Sequence, residues 1–309
     1  MNYLKDYREG EKFVGTYLCK QKQILKTKAG KTYYSLTLQD KTGTADGKIW
    51  ELNNGIANFE PMDYIHCEGM VTSFQGNLQM NISRVRVSDE GEYDPADYVP
   101  CTNKDVGEMF SRILKYVASV QNKYLRKILE MYFVENKEFV DAFKKHSAAK
   151  SVHHGFMGGL LEHTLSVTDM CQYFAEHYPM IHRDLLITAA LFHDMGKIQE
   201  ISDFPMNDYT DDGQLLGHIY IGARCMENAA AQIPNFPPKL KNELVHCILA
   251  HHGKMEFGSP KVPAIMEAMA LHMADNADAK LQTLTEVFTQ AGDNMGWLGK
   301  YFRQSLQFR

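Results

Sequence analysis

The sequence predicts two domains of different class, an all-β barrel followed by an all-α domain, and three observations point to it. Within residues 12–88, five short runs rich in β-branched and aromatic residues are separated by turns that contain Gly. From Thr102 onward the apolar residues return at helical spacing. Between them, residues 89–100 are acidic, bear prolines and show no period, the composition of a connector. At 309 residues the chain exceeds one typical domain. We expect a barrel over 1–88, a linker over 89–104 and a helical domain over 105–309.

The five runs fall at 14–24, 32–39, 44–50, 64–74 and 78–87, with a short helix-like piece at 52–59. Ala29-Gly30, Lys41-Thr42-Gly43 and Gln75-Gly76-Asn77 supply turns. Five strands with that insertion resemble an OB-fold, especially the nucleic-acid-binding type in which Leu36-Thr-Leu-Gln-Asp-Lys-Thr-Gly leads into Gly47-Lys-Ile-Trp. Side chains alternate across a strand, so Tyr34 joins Leu36 and Leu38 toward the core while Tyr33 points away. Lys48 and Trp50 oppose Ile49, and Phe74 opposes Val71 if no bulge shifts the register. An outward face of Tyr33, Lys48, Trp50 and Phe74 combines stacking surfaces with positive charge, which binding of single-stranded nucleic acid needs. Trp50 could equally close one end of the barrel or meet the next domain.

In the second part, Met109, Phe110, Ile113, Leu114 and Val117 open a series of helical stripes that continues through Phe143. Further helices are expected at 160–177, 183–193, 215–232, 239–252 and 263–288. The apolar run from Leu185 ends in His193-Asp194 and is stopped by Gly196. An imidazole and a carboxylate on one rigid segment can bind a divalent cation together. His163 lies upstream, and His218, His251 and Asp275 downstream, each in or at the end of a separate predicted helix. These positions are roughly 25 to 33 residues apart, which lets packed helices aim their inner faces at one site.

This order, H…HD…H…HH…D, resembles the HD superfamily of metal-dependent phosphohydrolases over residues 105–289. The resemblance implies that His163, His193, Asp194 and Asp275 hold one cation, and that His218 and His251 supply a second with Asp194 bridging. Members with only the first four ligands can be mononuclear, so both stoichiometries stay open. Two cations ~3.5–4 Å apart activate water and clamp a phosphodiester for in-line attack. Lys197 is a candidate catalytic cation beside the phosphate, or a solvated lysine after a helix. His252, ~100° further round a continuing helix than His251, is read as a substrate contact or a support. His153 and His154, on the loop before Gly155, are candidate phosphate or ribose contacts. The remaining histidines are expected to be structural or at the surface.

Composition narrows the surroundings. Hydrophobic residues make up 44% and charged residues 23%, ordinary for a globular protein. The formal net charge of −5 hides an asymmetry: through Ser88 there are 12 Lys and Arg against 9 Asp and Glu, leaving 21 against 29 for the remainder. The N-terminal part is therefore the better polyanion binder. Six cysteines lack CxxC spacing and suggest neither a zinc knuckle nor a disulfide framework. With no signal pattern and no apolar run near ~20 residues, a soluble cytoplasmic protein is expected.

Both parts together, with His193-Asp-Met-Gly-Lys and His251-His-Gly, are similar to the YhaM-type 3′→5′ exoribonucleases of Gram-positive bacteria. That resemblance covers nearly the whole chain. It implies manganese-dependent trimming of single-stranded RNA from the 3′ end to nucleoside monophosphates, with some activity on single-stranded DNA. The ligand types themselves suit two Mn²⁺, Fe²⁺, Co²⁺ or Zn²⁺ alike, and a homo-oligomer is left open. Two other functions compete. A nucleotide or cyclic-dinucleotide phosphohydrolase would use the barrel for regulation, but the stretch after His252, Gly-Lys-Met-Glu-Phe-Gly-Ser-Pro, lacks the Gly-Tyr-Pro of cyclic-di-GMP enzymes. A non-enzymatic nucleic-acid binder would have no need of an unbroken ligand set.

Overall fold

The computed structural model describes residues 3–150 and 154–291. It divides into two compact units, Met1–Pro100 and Cys101–Arg309.

The first unit is a closed five-stranded barrel of β1 (Lys12–Lys26), β2 (Thr32–Asp40), β3 (Gly43–Ile49), β4 (Tyr64–Phe74) and β5 (Asn77–Val87), in the order β1-β2-β3-β5-β4. Its first strand makes closure possible. Residues 12–18 of β1 pair antiparallel with β4, residues 18–26 pair with β2, and a bulge between Cys19 and Gln21 turns the strand from one neighbour to the other. Parallel pairing of β3 with β5, Lys48 opposite Asn81, completes the ring. This is the OB-fold connectivity. Phe13, Tyr17, Leu36, Leu38, Ile49, Ile65 and Val71 fill the interior, so the predicted alternation holds in β2, β3 and β4.

Residues 52–59 correct the reading. They form no helix: Asn53 accepts the Gly55 N–H at 2.8 Å, and Ile56 makes a single parallel bridge to Val85. An Asn side chain that satisfies the backbone locally competes with helical hydrogen bonds. Residues 89–100, expected as linker, also differ, because they pack within the first unit. The Tyr93 ring stacks on Tyr64 with centroids 4.0 Å apart, and Tyr98 and Val99 are buried. The acids set the composition of this stretch, but the aromatics between them set its position.

The second unit is helical throughout: α1 (Val106–Ser119), α2 (Lys123–Phe133), α3 (Lys137–Lys145), α4 (Gly159–His177), α5 (Arg183–Phe192), α6 (Lys197–Glu200), α7 (Asp211–Ala231), α8 (Pro238–Ala250) and α9 (Met266–Ala291). Every residue of α5 from Leu185 to Phe192 is buried. A helix that is apolar all round belongs at the centre, and α5 indeed packs against α2, α4, α8 and α9. Side-chain caps from Asp105, Asn122, Asn136 and Thr210 start α1, α2, α3 and α7. No helix among the described residues is long and apolar enough to cross a membrane.

Candidate metal centre and nucleic-acid face

Three helices and two helix ends deliver the candidate ligands to one buried place. His193 directly follows α5 and His251 directly follows α8. Each folds back on its own helix, donating Nδ1–H to the carbonyl three residues earlier, Ala190 at 2.8 Å and Ile248 at 2.7 Å. The last carbonyls of a helix lack intrahelical donors, so a histidine at this point satisfies one and is held rigidly. Since a carbonyl can only accept, Nδ1 bears the proton and Nε2 keeps its lone pair free for an ion. His163 on α4 reaches the same state by donating Nδ1–H to Asp278 at 2.6 Å, and His218 by donating to Glu200 at 2.9 Å. In α7, Gly217 adopts φ 71°, ψ 154° and breaks the helix just before His218. The restart frees the His218 backbone N–H, which also donates to Glu200, at 3.0 Å.

The free atoms fall into two groups that share Asp194. Around His163 Nε2 lie His193 Nε2 at 3.2 Å, Asp275 Oδ1 at 3.2 Å and Asp194 Oδ2 at 3.3 Å. The other oxygen, Asp194 Oδ1, is 3.5 Å from His218 Nε2 and 3.6 Å from His251 Nε2. An ion held at 2.0–2.2 Å by tetrahedral or octahedral donors separates them by about 3.0–3.5 Å, so both groups have the right spacing. Asp194 Oδ1, His218 Nε2 and His251 Nε2 are buried without a hydrogen-bond partner. Buried polar atoms are rarely left so, and all three are metal donors.

Charge points the same way. Burial raises the pKa of Asp194, but Lys197 and His193 outweigh it and hold the carboxyl well below its usual range. Asp275 and Asp278 are lowered too, against burial, by their histidine partners, and Glu200 by His218. Four ionised carboxylates thus outnumber the buried cations that face them, which are His163 and Lys197, the latter with Nζ 2.6 Å from Asp194 Oδ2. Burial opposes a charge on His163, yet Asp194, Asp275 and Asp278 lift its pKa well above the ordinary value. His193 at 3.2 Å is pushed by burial to about 4, against the pull of Asp194 and Asp275. The surplus negative charge calls for cations, and the donor set suits divalent ones.

The structure brings together all six candidate ligands, His163, His193, Asp194, His218, His251 and Asp275, and Lys197 with them. His252, read as a substrate contact or a support, offers a ligand atom within 4.8 Å of those of His218 and His251. His154 departs from the reading: expected to touch substrate, it is buried, with Nε2 3.0 Å from Asp278. His153 lies outside the described residues. The sequence reading missed Asp278, which accepts from His163, His154 and Ser166, and Glu200. Asp278 follows Asp275 by three residues on α9, a spacing that puts both on one helix face and could have revealed it. Glu200 gives no such signal, because its partner His218 lies 18 residues further along the chain.

On the barrel, Tyr33 and Trp50 stack with ring centroids 4.6 Å apart, and Trp50 is 39% exposed. Lys48 shares their face but is committed, with Nζ 2.7 Å from Ser35 Oγ and 2.5 Å from Asp46 Oδ1. Phe74, 62% exposed, pairs with Asn77 at the β4–β5 turn.

The HD-domain family matches residues 160–280, the span that contains all six candidate ligands. Among curated proteins, the chain is 32% identical to the 3′-5′ exoribonuclease YhaM of Geobacillus sp. (strain WCH70), over 82% of this chain and 78% of that one. It is also 32% identical to the protein of the same name from Bacillus subtilis (strain 168), over 82% and 81%. A third, from Shouchella clausii (strain KSM-K16), is 32% identical over 91% and 88%. The chain belongs to the YhaM family. As a YhaM-family protein with an HD domain it depends on a divalent metal. Among solved structures, the second OB-fold domain of replication protein A from Methanococcus maripaludis is similar at 18% identity, covering 29% of this chain and 98% of that one, with a TM-score of 0.24.

Proposed function

We infer that this chain is a metal-dependent 3′→5′ exoribonuclease that hydrolyses single-stranded RNA, and to a lesser degree single-stranded DNA, to nucleoside 5′-monophosphates. The observation behind this reading is the carboxylate of Asp194, shared between two groups of histidines whose Nε2 atoms all lie 3.3–3.6 Å from its oxygens. The relatives' activity agrees with it, and neither a small-nucleotide phosphohydrolase nor a non-enzymatic binder is favoured by them.

We assign His163, His193, Asp194 and Asp275 to one ion and His218, His251 and Asp194 to a second, both most simply Mn²⁺. When bound, such a pair activates water and polarises the phosphodiester. The chain's own residues do the rest. Carbonyls 190 and 248, Asp278 and Glu200 fix four imidazoles in the ligating tautomer before any ion arrives. Lys197, held by Asp194 at 2.6 Å and lining the cleft, faces the phosphate and stabilises charge building there. Cys19, Cys67, Cys171, Cys225 and Cys247 are free thiols, which supports a reducing cytoplasm.

The barrel takes the strand upstream of the cut. Tyr33 and Trp50 offer stacked rings to bases, and Phe74 offers an exposed one. Each stacked base contributes ~1–3 kcal/mol, so Tyr33→Ala with Trp50→Ala should raise KM for RNA of about twenty nucleotides tens- to thousands-fold. A dinucleotide should be affected far less. Equal KM for both enzymes on the long RNA would remove the barrel from substrate binding.

The reading as a whole is tested with RNA labelled at its 5′ end, incubated with the protein and Mn²⁺. A ladder shortening one nucleotide at a time, with labelled monophosphate appearing last, is expected. Internal fragments appearing first, or early release of the labelled nucleotide, would contradict 3′→5′ trimming.

A further inference from the structure

The cleft over the metal-side residues has two unlike parts. Along α9, Asn276, Ala279, Lys280 and Thr283 follow at spacings of three and four residues and so share one face. The cleft is also lined by Phe257, among the described residues the one aromatic ring besides imidazoles there. The turn that presents it is well fixed. Its N–H donates to the Lys254 carbonyl at 3.1 Å, and the Gly258 N–H donates to that of Met255 at 3.0 Å. Its own carbonyl accepts Nδ1–H of His252 at 2.8 Å. The ring is thus tied to a histidine that stands beside His218 and His251. It is half-buried, with Lys254 Nζ 5.2 Å from its centroid, and apart from Ala279 the rest of the cleft is lined by His, Asp, Lys, Asn and Thr.

We propose that Phe257 is the platform on which the base of the 3′-terminal nucleotide stacks, with the polar face of α9 taking the sugar and phosphate. This rests on the exoribonuclease reading. A nucleotide has one flat π-surface and one hydrogen-bonding, charged edge, and the two parts of the cleft match them. Stacking suits an enzyme that trims whatever base comes next, because every base has a π-face.

The test compares kcat/KM for two short RNAs with Mn²⁺, identical except that one ends in adenosine and the other in an abasic ribose. The parent should prefer the adenosine end by roughly 5- to 150-fold, the range stacking of one base supplies. Phe257→Ala should bring that ratio close to one, mainly through KM, and Phe257→Trp should restore it. A parent without preference overturns the proposal. So does a Phe257→Ala variant that keeps the preference, or one that loses both substrates in equal measure, since that is the mark of a purely structural residue. If the parent holds its metal but cuts neither RNA, the exoribonuclease reading itself has failed.

Discussion

Replacing Asp194 with Asn is expected to reduce RNA hydrolysis on the order of 10³-fold, the upper end for loss of one charge-stabilising group. Its two oxygens face different histidine groups, Oδ2 toward His163 and His193 and Oδ1 toward His218 and His251. Asn keeps the shape but offers one neutral oxygen, so both groups lose their shared anion. The change also strips the closest counter-charge from Lys197, which is buried. Breaking a buried ion pair from one side costs about 3–5 kcal/mol, softened here because Asp275 and Glu200 still act on the ammonium. Adding Lys197→Met to Asp194→Asn should recover stability without recovering activity. Turnover near that of the parent in Asp194→Asn, with metal content unchanged, would remove Asp194 from the centre of the site.

Gly196→Ala should act as strongly without touching a ligand. A Cβ built there meets the His218 carbonyl oxygen at 2.1 Å and the Gly222 backbone nitrogen at 2.9 Å. Neither is a flexible side-chain end, so the HD turn and α7 must separate. Overpacking of this kind costs roughly 1–3 kcal/mol or more, a fall in Tm of about 2–12 °C for a domain of this size. The displaced partner bears His218, so the second histidine group should loosen with it. Thermal unfolding and metal content, measured on the same sample, check both effects. An unshifted Tm would mean that the turn and α7 are less closely apposed than described.

The contrast between these two positions shows what the sequence could reveal. Asp194 was legible because the candidate ligands are His and Asp in or at the ends of helices that converge, a pattern that survives in spacing alone. The apolar run before it likewise announced a central helix. Gly196 was legible only as a helix stop, since the carbonyl it must clear belongs to a residue 22 positions later. Asp278 and Glu200 were missed for a related reason: a carboxylate that holds a histidine looks, in sequence, like any surface acid. In the barrel, strand alternation placed Tyr33 and Trp50 on one face but could not show that Lys48 would be taken up by Asp46 and Ser35. Burial patterns are written locally, whereas pairing across strands is not.

If Asp194 joins two metal positions, the protein loaded with Mn²⁺ and dialysed against a weak chelator should hold two ions per chain by elemental analysis, and His218→Ala treated alike should hold one. A parent that holds a single ion, unchanged by excess Mn²⁺ and unaffected by loss of His218, would contradict it.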